Sequence, residues 1–134
     1  MFIERLLNQG NAPVIEASVR FAAARHRLLA ENIANVDTPG FVQKDLSVEK
    51  FQTALSDRLE ARQRSLSAEA VSFDDLNPDI ENPETGILFH DGGNRSMEQL
   101  MSDSARNALF HNMMIEILRR QFSQIETALK EHIG

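Results

Sequence analysis

The sequence predicts a mainly α-helical protein, with long N- and C-terminal helices forming an antiparallel, coiled-coil-like core and an irregular central segment between them. Two apolar stripes, one near each end of the chain, predict this fold because both step alternately by four and three residues. Composition agrees, since the 134 residues include eight Phe but no Trp or Tyr, and most other apolar residues favour helices. We expect a single domain over residues 1–134.

The first helix is predicted over about residues 13–36. Pro13 follows Gly10 and Asn11, and its fixed φ suits the first turn of a helix. One member of the apolar stripe is a histidine, and the stripe consists of Ile15, Val19, Ala22, His26, Leu29, Ile33 and Val36.

The last helix is predicted over about residues 96–133, with Ser96 as its N-cap, and would be roughly 50 Å long. Its stripe comprises Met97, Met101, Ser104, Ala108, His111, Ile115, Leu118, Phe122, Ile125, Leu129 and His132. If the two stripes pack antiparallel, one register places Leu29 against Ala108. The same register places His26 against His111, a contact that could respond to pH. A slide of seven residues preserves the pattern.

Residues 37–95 are predicted to form an irregular spacer with little core. Residues 48–62 are expected to form a short helix, and residues 87–89 a short extended piece. Residues 69–84 contain six acidic residues, two prolines and no Lys or Arg, a composition typical of a solvated segment.

Composition and motifs argue against several functions. The net charge of −6 disfavours nucleic-acid binding, and the absence of cysteine excludes thiolate chemistry. No apolar run could span a bilayer, and the first seven residues are too charged and short for a cleavable secretory signal.

Neither candidate metal site fits its chemistry. Residues 75–79 begin like a calcium loop, but Ile80 and Gly86 stand where that loop needs glycine and glutamate. His90 beside Asp91 has no second ligand at helical spacing. We therefore expect no metal, no cofactor and no catalytic residue.

The end of the first helix is strongly specified. The short polar side chains of Asn32, Asn35, Asp37 and Thr38 can bond to nearby backbone. Pro39 prevents the helix from continuing and leaves the next residue, Gly40, free to adopt a positive φ. The string is longer than helix termination alone requires.

This string closely resembles the N-terminal signature of bacterial flagellar rod, hook and hook-associated axial proteins. The matching positions are Asn32, Ile33, Ala34, Asn35, Thr38, Pro39, Gly40 and Phe41. A looser similarity lies at residues 91–98, before the last helix, where the family has an Asp-Gly-Asn turn. Within the family, the short chain is most similar to a proximal rod subunit.

The resemblance implies a structural, non-enzymatic subunit that polymerises through its terminal helices and transmits torque. Its implied partners are copies of itself, other rod proteins, membrane-ring or rod-junction proteins at the base, and the flagellar type III export apparatus. Its implied location is the basal-body rod, on the periplasmic side of the inner membrane, reached without a cleavable signal peptide. The stripe residues of both helices, except Met97, Ser104 and His132, would then form the assembly interface.

Three alternatives remain open from the sequence. The first motif also suits another type of proximal rod subunit. A small helical export adaptor or chaperone would use the same stripes in a stable cytoplasmic dimer. An enzyme or metal protein would have to use the acidic middle segment.

Overall fold

The computed structural model describes residues 10–65, 72, 73, 76, 88, 89 and 95–134. The elements, in order, are α1 (Ala12–Ala34), β1 (Asp45–Leu46), α2 (Val48–Arg64), β2 (Leu88–Phe89) and α3 (Met97–Ile133). The predicted mainly helical fold is confirmed, with long terminal helices that pack against each other.

The helix ends follow local chemistry. Pro13 lies in the first turn of α1, as predicted. The Ser96 hydroxyl accepts a hydrogen bond from the backbone N–H of Gln99 (3.2 Å), which confirms the predicted N-cap of α3. Ser47 caps α2 in the same way through the N–H of Lys50 (3.2 Å).

The seam between α1 and α3 is antiparallel and contains a buried polar contact. Ala22 and Leu29 of α1 are fully buried, as is Leu100 of α3. Asn107 donates a hydrogen bond from Nδ2 to the Ala22 carbonyl oxygen (2.8 Å), so these two residues lie side by side.

This contact shows that the predicted register was wrong. The predicted register placed Ala22 beside Ile115, eight residues beyond Asn107, so the helices are slid by about one heptad. His26 and His111 lie on opposite sides of the Ala22–Asn107 level. They are therefore about 12 Å apart along the helix axes and do not pair.

A second face of α1 packs on α2, an arrangement that the stripes did not predict. Ala17 and Phe21 of α1 join Leu46 and Phe51 in a buried apolar cluster, which Phe73 and Leu76 complete. The rings of Phe21 and Phe51 stack with centroids 4.2 Å apart. Helix α1 therefore lies between α2 and α3.

Two short strands extend the fold. Asp45 pairs antiparallel with Phe89, and Leu46 pairs with Leu88. The extended piece predicted at residues 87–89 is thus confirmed for 88 and 89, while its partner strand was not predicted.

Within the described part of the chain, no helix is long and apolar enough to cross a membrane. The candidate calcium loop, apart from residue 76, and the His90–Asp91 pair lie outside the described residues.

Candidate functional site

Asn32, which the sequence predicts only as part of the end of α1, anchors the segment that follows this helix. Asn32 is 1% exposed, and its amide contacts both polar backbone atoms of Lys44. Nδ2 donates to the Lys44 carbonyl oxygen (2.7 Å), while Oδ1 accepts from the Lys44 N–H (3.0 Å). This pair of bonds imitates one rung of a β-ladder and folds residues 35–44 back onto α1.

A second amide joins this returning segment to the beginning of α3. Gln43 donates from Nε2 to the Arg95 carbonyl oxygen (3.0 Å), and its Oε1 accepts from the Arg95 N–H (2.8 Å). Both backbone groups of Arg95 are satisfied by one side chain from 52 residues earlier in the sequence. The connection after α1 therefore determines where α3 begins.

Asp45 links α1 to Arg95, just before α3, through a buried ion-pair cluster, and Arg95 also contacts Asp103 of α3 (3.4 Å). Arg25 of α1 donates to Asp45 from Nε (2.9 Å) and Nη2 (3.2 Å), and Arg95 donates from Nη1 (2.6 Å). Only 6% of the Asp45 side chain is exposed, compared with 16% for Arg25 and 24% for Arg95. Such a bidentate geometry satisfies a buried carboxylate well.

The electrostatics of this cluster favour the charged form of Asp45. Burial by itself would raise the pKa of Asp45, but hydrogen bonds from Arg25 and Arg95 oppose it. The Coulomb attraction of Arg25 and the N–H of Leu46 act in the same direction as these hydrogen bonds, so the pKa lies below its ordinary value of 3.8. Asp45 is therefore ionised at neutral pH.

The second half of the family motif faces outward. Residues 37–40 are exposed, and Gly40 has a φ of +76°, with no atom of the described residues within 4 Å of the place that a Cβ would occupy. Asn35 donates to the Glu31 carbonyl oxygen (2.9 Å) and accepts from the Thr38 hydroxyl (3.2 Å). The motif thus combines a buried anchor at Asn32 with an accessible turn at its other end.

The predicted interface residues divide into three groups by exposure. Ile15, Ala22 and Leu29 are buried inside the chain. His26, Met101 and Phe122 are exposed, the last two by 55% and 41%. The half-buried group consists of Val19, Ile33, Val36, Ala108, His111, Ile115, Leu118, Ile125 and Leu129.

At several places the buried residue is the sequence neighbour of the residue that the stripes predicted to be buried. Ser18 and Asn32 are buried in α1, whereas Val19 and Ile33 beside them are only half-buried. In α3, Leu100 is fully buried and Met101 is mostly exposed. The inward-facing polar residues were missed, although Ser18, Arg25 and Asn32 recur every seven residues, a spacing that indicates one helix face.

These contacts hold backbone segments together. Among the described residues, no three His, Asp or Glu side chains lie together as metal ligands would. The cluster of Asn32, Gln43 and Asp45 ties α1, the returning segment and α3 into one unit, which suits a structural role.

Known relatives match the chain over most of its length. A flagellar basal body rod protein FlgB of Bacillus subtilis is 25% identical over 123 residues, which cover 92% of this chain and 95% of the relative. FlgB of Aeromonas hydrophila is 29% identical over 115 residues, covering 79% of this chain and 82% of the relative. FlgB of Yersinia ruckeri is 26% identical over 127 residues, covering 87% of this chain and 90% of the relative.

No protein-family model and no solved structure matches the chain. The matched relatives nevertheless come from varied bacteria and carry the same name. Together with the motif at residues 32–41 and the hairpin of terminal helices, these matches support a FlgB-like flagellar basal-body rod protein.

Proposed function

We propose that this chain is a structural, non-catalytic subunit of the proximal rod of the bacterial flagellum, polymerising through its terminal helices to transmit torque. The observation that carries the proposal is the match of most of the chain to proteins named flagellar basal body rod protein. A long helical hairpin whose connecting segment is pinned to both helices suits a load-bearing subunit.

Exposed apolar side chains on α3 support assembly through this helix. Met101, Leu109 and Met113 are 55%, 71% and 52% exposed. Large apolar side chains exposed along one helix indicate a surface that another protein covers. Leu109 and Met113 lie one turn apart, so they share a face.

The assembly interface that we propose combines Leu109 and Met113 with the predicted stripe residues that keep accessible surface. Ile15, Ala22 and Leu29 already stabilise the hairpin, so they contribute to assembly by holding the subunit in shape. An open furrow of about 700 Å³ between the three helices, lined by apolar residues such as Phe51, Phe110 and Met114, adds to this surface.

The partners and location follow from the same proposal. We infer contacts with copies of this chain, other rod proteins and ring or junction proteins at the base. We also infer passage through the flagellar type III export apparatus to the periplasmic side of the inner membrane, without a cleavable signal peptide.

Mass spectrometry of detergent-purified basal bodies from the source organism tests the proposal directly. We expect the chain to co-purify in several copies per basal body beside other rod proteins. Its absence from basal bodies, together with a soluble cytoplasmic pool, would overturn the proposal and favour a helical adaptor.

Leu109→Asp should prevent incorporation into basal bodies while leaving the fold intact. The side chain is 71% exposed, so its replacement should change the free energy of unfolding by no more than about 0.5 kcal/mol. A charge on a surface buried in the assembly would instead be strongly unfavourable. Swimming in soft agar and copy number in purified basal bodies measure the effect.

Thr53→Asp is the matched control, since it adds the same charge at an exposed position of α2, outside the proposed interface. We expect this variant to swim normally. Equal incorporation of the Leu109→Asp and Thr53→Asp proteins would contradict an interface at Leu109.

Gly40→Val should impair both stability and motility. A β-branched residue at φ +76° costs about 1–2 kcal/mol through the backbone, although none of the residues that the structure describes crowds the Cβ position. Gly40→Asn is the control, because asparagine tolerates this conformation better. Thermal unfolding and soft-agar swimming should rank glycine first, asparagine second and valine last; normal motility of the valine variant would count against a role for this turn.

A further inference from the structure

The apolar seam between α1 and α3 does not by itself select one register. Heptad spacing matches again after every slide of seven residues, so spacing alone would allow Leu29 to meet Leu100 or, one heptad later, Asn107. Leu29 and Leu100 are both fully buried, as a well-matched seam requires. Something other than apolar periodicity must distinguish the observed register.

Asn107 provides such a distinction at the middle of the seam. It is 3% exposed, and its Nδ2 donates to the Ala22 carbonyl oxygen at 2.8 Å. Ala22 has a small side chain, which lets the amide approach the backbone of α1. A slide of seven residues would move Asn107 beside Leu29 or Ile15, whose larger side chains cover the backbone.

The cost of such a slide is the loss of a buried hydrogen bond. A buried amide without a partner is penalised by about 1–3 kcal/mol, whereas an apolar residue at the same place would accept either register. Single buried asparagines are known to select the register of coiled coils in this way.

Arg95 distinguishes the register a second time, at the beginning of α3. The Gln43 side chain forms hydrogen bonds with the backbone N–H and carbonyl oxygen of Arg95, and Asp45 accepts a hydrogen bond from the Arg95 guanidinium. Asn32 and Arg25 in turn fasten this returning segment to α1, through Lys44 and Asp45. Sliding α3 by one heptad would break the contacts of Arg95 with Gln43 and Asp45.

We propose that Asn107 and Arg95 together select the register of the hairpin, and that the apolar seam supplies stability without selecting it. The register determines which part of α3 extends past α1. With Asn107 beside Ala22, residues 118–133 lie beyond the level of Ala12. A slide toward the register predicted from the stripes would shorten this projection by about seven residues.

Spin-label distance measurements on the full chain test the proposal, because the sequence contains no cysteine. Labels on Ala30→Cys and Ser123→Cys, both exposed, would be about 36 Å apart along the helix axes in the observed register. After a slide toward the register predicted from the stripes they would be about 25 Å apart. The variants are Asn107→Leu, Arg95→Met and the double variant, with Asn112→Leu as the exposed matched control.

We expect one distance in the wild type and in the control. The double variant should contain a second distance in about a tenth or more of the molecules, and each single variant a smaller fraction. A double variant that keeps its helical circular dichroism and the single wild-type distance would overturn the proposal. Two distances in the wild type would also overturn it, as would loss of helicity in both single variants, because the two residues would then form the fold without choosing its register.

Discussion

Asp45→Asn is expected to lower the free energy of unfolding by about 3 kcal/mol or more, one of the largest single effects in this chain. Removing the charge leaves Arg25 and Arg95 without their shared carboxylate, while Arg95 keeps a longer contact with Asp103 (3.4 Å). Breaking a buried ion pair at one partner typically costs about 3–5 kcal/mol, because the remaining charge is uncompensated. Urea denaturation followed by circular dichroism measures the loss.

Asp57→Asn is the matched control, since Asp57 is exposed on α2. We expect that change to stay within about 0.5 kcal/mol of the wild type. Equal losses in the two variants would show that the Asp45 cluster contributes nothing beyond an ordinary surface charge.

The dependence of this loss on pH identifies its cause. The folded-state pKa of Asp45 lies below 3.8, so its stabilisation is fully present above that value and disappears as the pH falls through the lowered pKa. The difference between wild type and Asp45→Asn should therefore be constant near neutral pH and shrink below 3.8. A difference that stays the same in acid would mean that packing, not charge, is responsible.

Local patterns in the sequence predict the helices well and their buried faces less well. Pro13 and Ser96 indicate two helix starts within a residue of those observed, because capping depends on neighbouring residues. The stripe of α1 correctly predicts burial of Ile15, Ala22 and Leu29. The other stripe positions of α1 keep accessible surface, because polar residues beside them face the neighbouring helices instead.

The structure buries polar residues because their partners are distant in sequence. Arg25 meets Asp45 across 20 residues, and Asn107 meets Ala22 across 85. Burying a polar group costs little free energy when the group is hydrogen-bonded, so hydropathy alone underestimates how deeply these residues are buried. The same reason explains Asn32, which is predicted as part of a helix end and instead holds Lys44.

The face of α1 that packs on α2 was missed for another reason. Ala17 and Phe21 lie outside the four-three stripe, and a helix between two others needs two apolar faces. The short strand at Asp45–Leu46 was missed because two residues carry no recognisable alternation.

Leu100→Ala should cost about 3 kcal/mol of unfolding free energy, while Met101→Ala, one residue away, should cost about 0.5 kcal/mol or less. Leu100 is fully buried and would leave a cavity in the seam, whereas Met101 is 55% exposed. Urea denaturation of both variants, with unchanged m values, gives the comparison. The stripe in the sequence predicts that Met101 faces α1, whereas the structure buries Leu100 there. The two variants therefore test which face of α3 packs against α1. A larger loss at Met101 would mean that α3 is rotated by about one residue relative to the structure, so that Asn107 does not lie in the seam. A larger loss at Leu100 would support the observed face of α3, with Asn107 beside Ala22. That contact fixes the register and therefore the length of α3 that projects past α1.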